Sequence, residues 1–184
     1  IEAAMRHFGG DRSEWVDLST GINPHPWPGA STTAIDWQRL PEPDALTHLE
    51  AIAATYFGVE ARHVCAVPGT EIGLRLAGAL IGGRAHHITP GYRTHGEMIA
   101  GSAAAQWREA GDATGTLIIA NPNNPDGRVD TADAIRALLD GRDSWLMVDE
   151  ALADVDPAHS VAALVDDEQR LIVFRSFGKF FGLA

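Results

Sequence analysis

Cysteine is nearly absent: Cys65 is the only one in 184 residues. One thiol excludes an internal disulfide framework and fits a reducing, cytoplasmic setting. Basic side chains are scarce, 14 against 25 acidic ones, for a formal net charge of -11. That balance argues against nucleic acid or an anionic membrane as partner, since both need clustered Lys and Arg. No apolar run approaches the ~18 residues of a membrane span, and the start does not resemble a signal peptide. Internal repeats and low-complexity tracts are missing too. With 45% hydrophobic and 21% charged residues, the composition is that of a globular chain, which excludes general disorder. Its length suits one domain able to bury roughly two-thirds of its unfolded surface.

The scarcity of one residue type is informative. Of the 14 basic residues, 13 are Arg, and Lys179 is the sole Lys. A coding bias toward Arg would strip lysines from the surface and spare one where Arg cannot substitute. Arg cannot be deprotonated to act as a nucleophile, whereas a Lys amine can form a Schiff base.

Residues 1–43 carry a short polar segment around His7 and then Gly21, Pro24, Pro26, Pro28, Gly29, Pro41 and Pro43, too many breakers for a regular element. They read as an irregular arm. From Asp44, taken as an N-cap, Leu46, Leu49, Ile52, Ala53 and Tyr56 recur at helical spacing and end near Gly58. Short apolar runs then alternate with helical stretches. The predicted strands are 64–67, 86–89, 116–120, 145–149 and 171–174, with helices at about 70–81, 92–102 and 131–140. This alternation predicts an α/β fold, a mostly parallel sheet with helices on both faces, over residues 44–184. Cys65 then reads as core.

Open parallel sheets bind ligands beyond the carboxyl ends of their strands. Five strand ends therefore matter. Gly69-Thr70-Glu71 opens a helix whose N–H groups suit a phosphate, although Thr70 could equally be a cap. Tyr92 follows Pro90-Gly91 and could stack on a planar ring or fill core. Asn121-Pro122-Asn123-Asn124-Pro125-Asp126-Gly127 is a rigid loop presenting Asn donors, or simply a turn. Asp149 at a buried strand end needs a cationic or hydrogen-bonding partner, such as a protonated pyridine nitrogen, or else caps the next element. Ser176 offers a hydroxyl, and Lys179 an amine sheltered by Phe177, Phe180 and Phe181; a snorkelling surface Lys is the alternative. His86 and His87 are adjacent on a predicted strand and face opposite sides, so they cannot chelate a metal together.

Asn124-Pro125-Asp126-Gly127, Asp149-Glu150-Ala151 and Ser176-Phe177-Gly178-Lys179, in this order and spacing, resemble the fold type I pyridoxal phosphate enzymes of the aminotransferase superfamily. Within it, Asp17 to Pro26 and Asp149 to Pro157 look like the cobalamin-pathway threonine-phosphate decarboxylases. So does Gly9-Gly10 beside His7, although Phe8 interrupts the run. Histidinol-phosphate aminotransferases share the central motifs. The resemblance implies the large domain of that architecture, with pyridoxal 5'-phosphate as cofactor. It implies that Lys179 holds the cofactor, Asp149 pairs with the pyridine nitrogen, Asn124 bonds the ring hydroxyl oxygen and Tyr92 stacks. The resemblance also implies that Gly69, Thr70, Glu71 and Ser176 form the cofactor-phosphate region. His7, Ile22, Asn23 and Asn124 lie near a phosphorylated amino-acid substrate, in a cytoplasmic homodimer.

Three departures stand out. Leu152 replaces a Tyr that many aminotransferases use as a second ring-hydroxyl contact, and Gly178 replaces a Ser. The chain also stops five residues past Lys179, where such enzymes continue into a phosphate-binding Arg and a C-terminal small domain, so a longer protein is expected. The implied activity is decarboxylation of L-threonine O-3-phosphate. The alternatives are an aminotransferase of the histidinol-phosphate type and a non-catalytic module that binds the cofactor.

Overall fold

The structure, a computed structural model, describes residues 1–17 and 19–183. Leu18, within the first resemblance motif, and Ala184 lie outside the described residues. Five strands form one wholly parallel sheet: β1 (Ala85–Ile88), β2 (Ala103–Ala105), β3 (Thr116–Ala120), β4 (Leu146–Asp149) and β5 (Leu171–Phe174), in spatial order β2-β1-β3-β4-β5. The chain steps outward from β1 to β2 and then builds the rest on the other side of β1. The order therefore reverses between β1 and β3, the kind of switch point where such sheets open a crevice.

Alternation along the strands separates two cores. Ile118 of β3 and Met147 of β4 pack with Leu74 of α3 (Thr70–Ile81). Leu117 and Ile119 of β3 and Leu146 and Val148 of β4 pack instead with Ile135 and Leu139 of α5 (Ala132–Asp140). Helices thus cover both faces. The central strands β3 and β4 are buried on both sides, which is why these segments are nearly continuous apolar runs. Helix α5 begins as its sequence indicates, with the Thr131 hydroxyl accepting from the Ala134 N–H at 3.2 Å.

Four expectations need correction. Residues 64–67 form no strand: Val64 is extended, but the Ala66 N–H donates to Glu50 Oε1 at 2.9 Å and not to a ladder. Cys65 is exposed, not core. The helix expected over 92–102 ends early, as α4 (Arg93–Glu97), and Met98 and Ile99 enter the core from the turn behind it. The all-alanine β2 was hidden, since Ala-Ala-Ala carries no strand period. Helix α2 (Pro43–Phe57) starts with Pro43 at its first position and Glu42 as N-cap, so Asp44 sits inside the first turn. It ends on Gly58 as expected, in the left-handed region. Its apolar stripe is not buried, however: Leu46, Leu49, Ile52 and Tyr56 are 45%, 42%, 55% and 60% exposed. Residues 1–43 are irregular and mostly exposed apart from the short α1 (Glu2–Phe8) and two single turns.

Ile119 is almost fully buried against α5. Ile119→Ala should lower unfolding free energy by about 2–5 kcal/mol through lost burial and a residual cavity. Leu80→Ala, on the exposed side of α3, should change it by less than about 0.5 kcal/mol. Denaturant midpoints measured on both variants check the contrast.

Candidate active site

Asp149 ends β4 and Phe174, its register partner, ends β5, so the segments Glu150–Leu152 and Arg175–Lys179 leave one edge side by side. Asp149 is nearly buried, and both carboxylate oxygens are engaged. Oδ1 accepts the Ala151 N–H at 3.0 Å, and Oδ2 lies 3.0 Å from Nε2 of the buried His95. With the carboxylate ionised it can only accept, so Nε2 is the nitrogen that carries the proton. His95 was missed in the sequence, although its signal was there: it follows Tyr92 by three residues on a helix opening, hence on the same face. The two rings meet edge to face at 5.7 Å.

Tyr92 is steered from its other end as well. Its hydroxyl donates to Glu71 Oε2 at 3.0 Å, and Thr94 Oγ1 donates to the same oxygen at 2.7 Å. The ring is partly open to solvent. The Thr94 bond, with help from Arg75 and Tyr92, holds the Glu71 carboxyl below the usual range against the cost of burial. Glu71 thus spends its charge on orienting the Tyr92 segment, and the Gly69 backbone, Thr70 and Ser176 remain as the groups open to a phosphate.

At the start of α3, Gly69 adopts φ +100°, ψ 151°, a conformation side chains avoid, and a Cβ there would meet nothing within 4 Å. No side chain caps this helix, so its first N–H groups are free for an anion. Thr70 is not the cap: it is the first helical residue, and its hydroxyl points to the Arg175 carbonyl at 3.5 Å. Ser176 Oγ accepts the Gly178 N–H at 3.0 Å.

The asparagine loop divides its work. Buried Asn121 holds Asp130 through both N–H and carbonyl. Buried Asn123 donates to the Pro90 carbonyl at 2.9 Å and to Asp126 Oδ1 at 2.8 Å, joining the loops across the switch point. Asn124 is exposed beside them.

The arm reaches the same rim. The Asn23 N–H donates to the Lys179 carbonyl at 3.0 Å, Asn23 Nδ2 to the Phe180 carbonyl at 2.8 Å, and the Trp27 N–H to the Phe181 carbonyl at 2.8 Å. This crossing requires a glycine at 182, where a Cβ would sit 2.8 Å from Pro26 Cα. Ile22 and Asn23 are therefore laid over the lysine segment. His7 lies in the last turn of α1 against Phe8, and no described hydrogen bond links it to the rim. Lys179 is half-buried. Phe177 and Phe180 are exposed, so they give less apolar shelter than expected. His86 and His87 diverge as expected, toward the Thr114 carbonyl and Ser102 Oγ.

One amine, an oriented carboxylate, a steered aromatic ring and an uncapped helix start flanked by two hydroxyls form a donor set that fits pyridoxal phosphate. The sheet and its order are those of the large domain of the fold type I pyridoxal phosphate-dependent transferases, and the chain is similar in sequence to the aminotransferase superfamily. Residues 98–184 match the sequence profile of aminotransferase class I and II. Over its whole length the chain is 37% identical to a threonine-phosphate decarboxylase of Pseudomonas aeruginosa and 38% to one of a Sinorhizobium species, covering 57% and 58% of them. It spans little more than half the length of these curated relatives. The crystal structure of L-threonine-O-3-phosphate decarboxylase from Porphyromonas gingivalis superposes with a TM-score of 0.69 at 22% identity, over 79% of this chain and 48% of that one.

Folding lowers the Glu71 pKa, so Glu71 adds stability that is complete above the ordinary glutamate range and is lost as pH falls through the lowered value. Glu71→Gln should therefore destabilise at neutral pH, and the gap to the parent should close as the solution is acidified. Thermal melts across that range measure it; a gap that is constant with pH contradicts a charged acceptor.

Proposed function

We propose that this chain is the cofactor-binding part of a pyridoxal phosphate-dependent decarboxylase acting on L-threonine O-3-phosphate. The observation that carries the reading is whole-chain similarity to threonine-phosphate decarboxylases at 37% and 38% identity, joined to a lone lysine on the same rim as a hydrogen-bonded aspartate. Residues 1–43 serve as the arm bearing the substrate loop, and 44–184 as the large domain.

Pyridoxal phosphate, when bound, supplies an aldehyde that condenses with amines and a cationic ring that accepts the electron pair of the cleaved bond. Lys179 would hold that aldehyde, and its amine would move a proton at the substrate's α-carbon. Asp149, fixed by His95 and the Ala151 N–H, keeps the ring nitrogen protonated by charge pairing, a preorganised electrostatic contribution. Gly69, Thr70 and Ser176 take the phosphate, with Glu71 acting on them only through the loop it steers. Tyr92 would stack on the ring and Asn124 would bond its hydroxyl oxygen; Leu152 has no group for a second bond. Ile22, Asn23 and His7 are assigned to the substrate side. The product is (R)-1-amino-2-propanol O-2-phosphate, a precursor of the cobalamin side chain.

Within the described residues no helix is long and apolar enough to cross a membrane, and the site needs no membrane ligand; we place the protein in the cytoplasm. The exposed stripe of α2 supports a homodimer that covers it.

The complete protein, loaded with pyridoxal phosphate and given L-threonine O-3-phosphate, should release carbon dioxide without a keto-acid acceptor. Strict dependence on an acceptor would instead make it an aminotransferase, and lysine-bound cofactor without turnover a non-catalytic module. Lys179→Ala should abolish the visible absorption of covalently held cofactor and its fixation by borohydride. If the band persists, another group is the attachment point.

A further inference from the structure

Arg175, which no sequence motif singles out, sits at the centre of a buried ionic network behind the rim. Its Nη1 donates to Glu150 Oε2 at 3.1 Å and Ser160 Oγ at 2.9 Å, and its Nη2 donates to Asp154 Oδ1 at 2.5 Å. Ser160 Oγ in turn donates to Glu150 Oε2 at 2.6 Å, the Val161 N–H donates to Oε1 at 2.7 Å, and the Tyr56 hydroxyl donates to Asp154 Oδ1 at 3.1 Å. The guanidinium lies 5.0 Å over the Phe57 ring. Glu150 is completely buried and Arg175 nearly so. Burial pushes the Glu150 carboxyl up against the pull of these donors.

Networks of this kind are poor sources of stability, because desolvating the ions cancels most of their attraction; their best-attested use is to specify geometry. The geometry specified here is that of the rim. Glu150 directly follows Asp149, and Arg175 directly precedes Ser176. The Glu150 N–H donates to the Phe174 carbonyl at 2.9 Å, extending the β4–β5 ladder by one bond. The Arg175 carbonyl accepts the Thr70 hydroxyl. One residue therefore bridges the segments carrying Thr70 and Ser176, and its side chain anchors that bridge to β4 and α2.

We propose that Arg175 is a positioning residue that sets the spacing between the start of α3 and Ser176, and so determines affinity for the phosphate group of the cofactor. This rests on the reading that the site takes pyridoxal phosphate. The ligand itself touches Thr70 and Ser176, and Arg175 acts through them.

The test compares pyridoxal 5'-phosphate with pyridoxal, titrated into the complete protein and followed by absorbance and by quenching of tryptophan fluorescence. The parent should strongly prefer the phosphorylated form. Arg175→Lys keeps the charge but loses the fork, and Glu150→Gln keeps the shape but loses the charge. Each should reduce that preference about tenfold or more, the scale of a lost bond to a charged group, with pyridoxal affinity unchanged. An unchanged preference in folded variants overturns the proposal. Equal weakening of both ligands overturns it too, as that is the mark of general loosening, and so does failure of both variants to fold. A parent that binds neither ligand refutes the cofactor reading, and the proposal falls with it.

Discussion

Parallel pairing sets Asp149 directly beside Phe174, and the two segments that leave those strands carry the acidic and the basic groups of the rim. Side chains alternate along a strand, so a slip of one residue would turn Asp149 away from His95 and present Glu150 in its place. What prevents the slip is burial on both faces. Ile118 and Met147 have one core to fill, Leu117, Val148 and Leu146 another, and neither accepts the other's pattern. The geometry of the rim is thus underwritten by ordinary apolar packing upstream along the strands.

Around this edge the loops are tied rather than free. Asn123 joins the loops after β1 and β3, Glu71 joins the start of α3 to the Tyr92 segment, Asn23 joins the arm to the lysine segment, and Arg175 joins β5 to β4. Most of these ties use a buried or half-buried polar group, for which an unmade bond is expensive. Such a frame fixes its ligating groups before any ligand arrives, as precise binding of a phosphate and a ring requires.

Elements with a clear period were legible from the sequence: α3, α5, β3, β4 and β5 lie within a residue of their expected bounds. Segments whose conformation depends on a neighbour were not. Residues 64–67 have strand composition but find no ladder among the described residues. The alanines of β2 are strand only because β1 lies beside them. Leu46, Leu49 and Ile52 show that a helical apolar stripe reveals that a face is hydrophobic without saying what covers it. The pattern at the site was similar. Strand-end logic led to Asp149, Tyr92, Thr70, Ser176 and Lys179, whereas Asn123 and Arg175 act by bonding across distant segments and carry no local signature, and His95 was marked only by its spacing from Tyr92.

Sequence order alone dictated the alternation of strands and helices, the uniqueness of Lys179 and the identity of the residues at each strand end, because all of these are local properties of the chain. Which oxygen of Asp149 meets a histidine, which two of three asparagines are buried, and whether Thr70 caps a helix or braces a carbonyl emerged only on folding. Each of those outcomes depends on hydrogen bonds between groups far apart in the chain, whose distances are set by how the sheet packs.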